Sequence, residues 1–94
     1  MIIAFYNDDD RTTGLVAHTC VFLAETGHAV AGVMSEHVRP LLPRYLAKTN
    51  IPVLDASSAA AGVYDLRIID LWSDDTPPLT PDVWILPTTR VSLA

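Results

Sequence analysis

Met1-Ile2-Ile3-Ala4-Phe5-Tyr6-Asn7-Asp8-Asp9-Asp10-Arg11-Thr12-Thr13 opens the chain, and Gly14 to Thr26, closed by Gly27, follows directly. The first six residues are a short apolar run rich in Ile and Phe, the pattern of a buried strand. Asn7 to Thr13 reads as a polar loop. Leu15, Val16, Cys20, Phe22 and Leu23 recur at helical spacing and predict a helix from Gly14 to Thr26 with one apolar stripe. Gly27 stands where a helix C-terminus takes a residue free to adopt positive φ. Strand, loop and helix in that order form the first half of a parallel βαβ unit. The helix N-terminus of such a unit offers free N–H groups and the positive end of its dipole to whatever the loop holds. Phosphate-binding proteins put a glycine-rich loop at this point. Here the loop has no glycine and no lysine, and carries three aspartates.

Beyond Gly27 the pattern alternates. Ala29-Val30-Ala31-Gly32-Val33-Met34 predicts a second strand, and Ser35-Glu36-His37-Val38 a polar exit loop. Arg39 to Thr49 reads as a second helix. Pro40 fits its first turn, and Pro43 fits only if the helix starts near Leu42; Leu42, Tyr45 and Leu46 would then face the sheet. Ile51-Pro52-Val53-Leu54 predicts a short strand with Pro52 at its start or on an edge. Asp55 or Ser57 can cap a short alanine-rich helix that Gly62 ends. Asp65 to Leu71 predicts a further strand, Ser73 to Pro81 a proline-broken loop, and Val83-Trp84-Ile85-Leu86 a last strand. The order βαβαβ(α)ββ predicts a mostly parallel sheet with helices on its faces. No repeat or linker divides residues 1–94, so one domain is expected.

At 94 residues the chain is one domain in length and buries only ~60–65% of its unfolded surface. Half of the residues are hydrophobic and 18% are charged, so some apolar surface is expected to meet a partner. A net charge of -5 with scattered Lys and Arg gives no electrostatic footprint for nucleic acid. The single cysteine, Cys20, excludes an internal disulfide and sits in an apolar helical setting that suits a buried thiol. No basic leader precedes the first strand, and no apolar run reaches the ~20 residues of a membrane span. The expectation is a soluble cytoplasmic protein.

Five segments in order resemble the deviant Walker ATPases of the ParA/MinD/Soj type, which partition plasmids and chromosomes. Ile2 to Asn7 is similar to the family's first strand. Arg11-Thr12-Thr13 sits where the family has Lys-Thr-Thr at the end of its phosphate loop. Leu23-Ala24-Glu25-Thr26-Gly27-His28 resembles the end of its first helix and the turn into strand two. Tyr64-Asp65-Leu66-Arg67-Ile68-Ile69-Asp70 resembles the YDxxIID Walker B strand, and Asp82-Val83-Trp84-Ile85-Leu86-Pro87-Thr88-Thr89 the DxxIxPxT strand after it. The resemblance implies a minimal P-loop NTPase-like, Rossmann-like three-layer α/β domain.

The nucleotide-binding positions depart from that family. Its loop, roughly KGGxGKTT, uses glycines so that the backbone folds around phosphates. Asp8-Asp9-Asp10 replaces them, and like charges beside a triphosphate repel it. The family's acidic residue after strand two appears as Met34, with Glu36 just beyond. Leu71 and Trp72 follow Asp70 where the family has small residues, and the family's second half has no counterpart after Ala94. Arg11, Thr12 and Thr13 are therefore candidate remnants of a nucleotide site, and Asp70 of the magnesium site. Each has a plainer reading: the threonines as helix N-caps, and Asp70 as a strand-end carboxylate bonded to nearby backbone. Asp8 to Asp10 can gather a cation through oxygen ligands, or form a solvated acidic loop beside the helix dipole. His18, His28 and His37 lack metal-ligand spacing with one another or with Cys20. Trp72 and Trp84 suit core or interface.

The expected function is a non-catalytic, ParA-like interaction or regulatory module of a plasmid or mobile-element maintenance system. No catalytic residue and no cofactor are expected. The expected partner is a ParA-like ATPase or a second copy in a homodimer, with Trp84 as anchor and neither nucleic acid nor membrane engaged. A weak nucleotide binder or residual ATPase taking ATP and magnesium is the alternative, and a truncated remnant with a structural role is another.

Overall fold

A computed structural model describes residues 1–7, 10–35, 41–72 and 75–86, with the backbone of Asn7, Asp10 and Arg11. Strands β1 (Ile2–Asn7), β2 (Val30–Met34), β3 (Val53–Leu54), β4 (Leu66–Trp72) and β5 (Val83–Ile85) form one sheet in the order β3-β2-β4-β1-β5. Every pairing is parallel, so the chain is an α/β protein. The fourth strand in sequence occupies the centre. Ile2 lies opposite Arg67 and Asn7 opposite Trp72 on one side of β4; Val30 lies opposite Leu66 and Met34 opposite Asp70 on the other.

Helices α1 (Asp10–Glu25) and α2 (Leu42–Tyr45) cover one face of the sheet. Alternate residues of the strands, Phe5, Val30, Leu66 and Ile68, pack there against Val16, Ala17, Cys20, Leu42 and Leu46. The other face, Ala4, Val33, Ile69 and Leu71, is covered by Ala59, after the 3₁₀ helix Ala56–Ser58, and by Leu79 of the proline-rich loop. Two glycines set the approach of these covers. A Cβ on Gly32 would meet Leu42 Cδ2 at 3.1 Å, so its absence lets α2 lie close on β2. Gly27, at φ +98°, closes α1: its N–H donates to Ala24 O at 3.1 Å and that of His28 to Leu23 O at 3.2 Å. That bond pair is a Schellman motif.

Several expectations are corrected. α1 begins at Asp10, not Gly14, because no helix breaker stands between Asp10 and Thr13 and an acidic first turn suits the helix dipole. Its buried stripe is Thr13, Val16, Ala17 and Cys20, with Leu15 and Phe22 exposed. At 3.6 residues per turn those four fall on one arc, whereas positions 15 and 22 point away from it. Of the second helix, expected over Arg39 to Thr49, the described residues form Leu42–Tyr45, with Pro43 in its first turn; Arg39 and Pro40 lie outside the described residues. Leu42 and Leu46 face the sheet as expected, but Tyr45, the last residue of the helix, is exposed although its spacing places it on the same side. The alanine-rich helix is a single 3₁₀ turn, capped by Asp55, whose Oδ1 accepts from the Ser58 N–H at 2.9 Å. Gly62 follows at φ +77°. Pro52 precedes β3 on an edge, and its carbonyl accepts from the Gly32 N–H at 2.9 Å.

Candidate functional site

Parallel sheets carry their sites at the carboxyl ends of the strands. Here β1, β2 and β4 end together, and α1 begins above them. Asp70, near the end of β4, is 0% exposed, and Thr13, in the first turns of α1, is 1% exposed. Thr13 Oγ1 donates to Asp70 Oδ2 at 2.9 Å in buried surroundings. A buried carboxylate needs such donors, because an unpaired charge in the interior is costly. The first turns of α1 add the positive end of the helix dipole nearby.

The pair is enclosed. Asp70 shares its sheet face with Ile68 and Leu66, and stands level with Phe5 on β1 and Met34 on β2. The position level with Asp70 on β2 is thus a thioether packed on the core, not an acid. Cys20, on the same arc of α1 as Thr13, lies behind. Burial, and then the negative charge of Asp70, push its thiol up to about 12. That thiol stays protonated and is a packing group.

Ser35, at 4% exposure just past β2, completes the enclosure. Its N–H donates to the Asp70 carbonyl at 3.1 Å, and its Oγ accepts from the Trp72 N–H at 3.0 Å. The β2–β4 ladder is thus carried past its last pair by a side chain. By sequence Ser35 belongs to a polar exit loop, and the signal of its role is a small hydroxyl directly after a buried strand.

Thr12 and Thr13 lie inside α1 and are buried, so neither is an N-cap. The Asp70 carboxylate reaches a helix side chain, Thr13, across the strand–helix junction. Arg11 is in the first turn of α1 with its side chain outside the described residues, as are Asp8, Asp9, Glu36 and His37 and the side chain of Asp10. His18 and His28 are exposed. Trp72 is half-buried and Trp84 is 47% exposed. Among the described residues no three His, Cys, Asp or Glu side chains gather as a metal site, and no helix is long and apolar enough to cross a membrane.

A magnesium ion takes hard oxygen ligands, and Thr13 and Asp70 are of that kind. In P-loop NTPases a Ser or Thr of the phosphate loop and a Walker B Asp hold the ion. A triphosphate also needs backbone N–H groups folded round it by glycines, and no glycine lies between Asn7 and Thr13. The residues present fit half of a metal site and do not fit the phosphate cradle. Compared with protein-family models, curated proteins and solved structures, the chain matches none.

Proposed function

We propose that this chain is a non-catalytic relative of the ParA-type partition ATPases, working in the cytoplasm through protein contacts in a plasmid or mobile-element maintenance system. One observation carries this reading: the Thr13 hydroxyl, matched to the last threonine of the family's phosphate loop, and the Asp70 carboxylate, matched to its Walker B aspartate, are hydrogen-bonded to each other in a buried site. Closed in this way, the pair fastens α1 to β4. The glycine-free, aspartate-rich stretch before it opposes a bound triphosphate by charge. The partner is a genuine ParA-like ATPase or a second copy of the chain.

A second reading, weak nucleotide binding with magnesium, draws on the same adjacency, since β1 and β4 are neighbours and bring Thr13 to Asp70. Titration calorimetry with ATP and magnesium separates the two. The interaction reading expects no saturable binding at micromolar nucleotide, for the natural chain and for Asp70→Ala alike. Micromolar affinity that disappears in Asp70→Ala establishes the second reading instead.

A further inference from the structure

The two edges of the sheet are unlike. On one, β3 is two residues long, preceded by Pro52 and followed by Asp55, and is blunted in the ways natural edge strands are. On the other, β5 is also short, Val83-Trp84-Ile85, and follows Pro81 and Asp82, but the strand itself carries no charge and no proline. It pairs with β1 through Ile3–Val83, Ala4–Trp84 and Phe5–Ile85, and no described strand lies beyond it. Among the described residues no strand pairs with its outer backbone groups, which can receive another strand.

The side chains along this edge are apolar and open. Val83, Trp84 and Leu86 are 39%, 47% and 71% exposed. Tyr6, on β1, tilts against Trp84 with ring centroids 6.4 Å apart, and is also exposed. Large side chains offer ~150–250 Å² each, so these four expose roughly 400 Å² of apolar surface. On two copies these patches together remove roughly 800 Å² of apolar surface from water, to which the polar rim of an interface adds, a contact on the small side of specific complexes.

We propose that β5 pairs antiparallel with β5 of a second copy of this chain, joining two five-stranded sheets into one across a two-fold axis. This deepens, and rests on, the interaction reading. Trp84 is the middle residue of the strand, so an axis beside it sets Trp84 against the partner's Trp84, an aromatic cross-strand pair. The arrangement is isologous, so one patch covers itself and the assembly closes at two. Asp82, the one charged residue flanking β5 among those described, accepts from its own chain's Ile2 N–H at 2.8 Å and need not be desolvated by the partner. The contact uses no nucleotide.

Sedimentation equilibrium of the full chain, without nucleotide, tests this over a range of micromolar concentrations. The expected result is a monomer–dimer equilibrium whose dissociation constant rises about 30-fold or more in Trp84→Asp and rises likewise in Leu86→Asp. Leu86 lies beyond the ladder and is well exposed, so its variant keeps the native circular dichroism spectrum. Phe22→Asp, on the outer side of α1, leaves the equilibrium unchanged. A monomeric mass at every concentration overturns the proposal, and so does a dimer that survives both edge variants or is dissociated by Phe22→Asp. Nucleotide affinity plays no part in these outcomes, so a monomer that also ignores ATP refutes the edge contact and leaves the non-catalytic reading standing.

Discussion

Thr13→Val is the sharpest probe of what the buried pair does. Valine keeps the β-branched shape and removes only the hydroxyl that donates to Asp70 Oδ2 at 2.9 Å. A hydrogen bond to a charged group contributes ~1.5–3 kcal/mol. Here no solvent replaces the donor, because Thr13 and Asp70 are 1% and 0% exposed. The added methyl returns up to ~0.8 kcal/mol of apolar burial, so the net loss is about 1–2 kcal/mol. For a domain of this size each kcal/mol moves Tm by about 4–8 °C, which predicts a fall of about 4–16 °C. Urea unfolding followed by circular dichroism reads the same loss as a lower midpoint at unchanged slope. In a double-mutant cycle with Asp70→Asn, the coupling energy should exceed ~0.5 kcal/mol, the scatter expected of independent sites. If Thr13→Val is as stable as the natural chain to within ~0.5 kcal/mol, the pair does not fasten α1 to β4 and the closed-site argument fails. A natural chain stabilised by ATP and magnesium in proportion to ligand concentration, with Thr13→Val indifferent to both, points to nucleotide binding instead.

Two further outcomes follow from other parts of the molecule. Cys20 should resist iodoacetamide in the native state at mildly alkaline pH and react only on unfolding, since its thiol is pushed up to about 12. Because the folded pKa is raised above the ordinary 9.0, the associated stability is fully present below pH 9.0 and is lost as pH rises toward 12; Cys20→Ala should flatten alkaline unfolding in that window. Arg67 donates from Nε to Ala59 O and from Nη2 to Gly62 O, each at 2.9 Å, and its guanidinium lies 5.4 Å from the Tyr64 ring centroid. Arg67→Lys cannot reproduce that fork, so hydrogen exchange should quicken at Ser58 and Ala61 while the β1–β4 amides keep their protection.

The strands were legible because each is a short apolar run bounded by Gly, Pro or Asp, and the C-terminus of α1 because only glycine sits easily at φ +98°. The start of α1 was not. Three aspartates and two threonines look like a loop by composition, yet Asp10 and the residues after it carry the first turn. The buried arc was misassigned because Leu15 and Phe22 outweigh Thr13, Ala17 and Cys20 on any hydropathy scale, while the smaller residues let the helix lie closer to the sheet. Asp70 and Thr13 were each legible as candidates from the family resemblance. Their bond was not, since nothing in a linear pattern states that strand four lies beside strand one. Ser35 escaped for the same reason: its Oγ matters only because Trp72 is its neighbour across a ladder.

The central place of β4 has a consequence for how the chain reaches this state. β1 and β2 are both made early, yet neither has its main partner until residues 66–72 exist. The Met1 amino group bonds to the Asp65 carbonyl, 64 positions away, and the Ile2 N–H to Asp82, 80 positions away. A chain emerging from the ribosome therefore holds β1 unpaired, and β2 paired with the two-residue β3 alone, until residues 66–72 have followed. Folding so dominated by distant pairings is slow for its size and exposed to aggregation while it waits. The same insertion makes the molecule separable: a chain cut in the exposed turn at residues 60–63 yields a first piece with an open slot and a second piece that carries the strand to fill it. Neither piece can form the β2–β4–β1 ladders alone, and mixing the two should restore them.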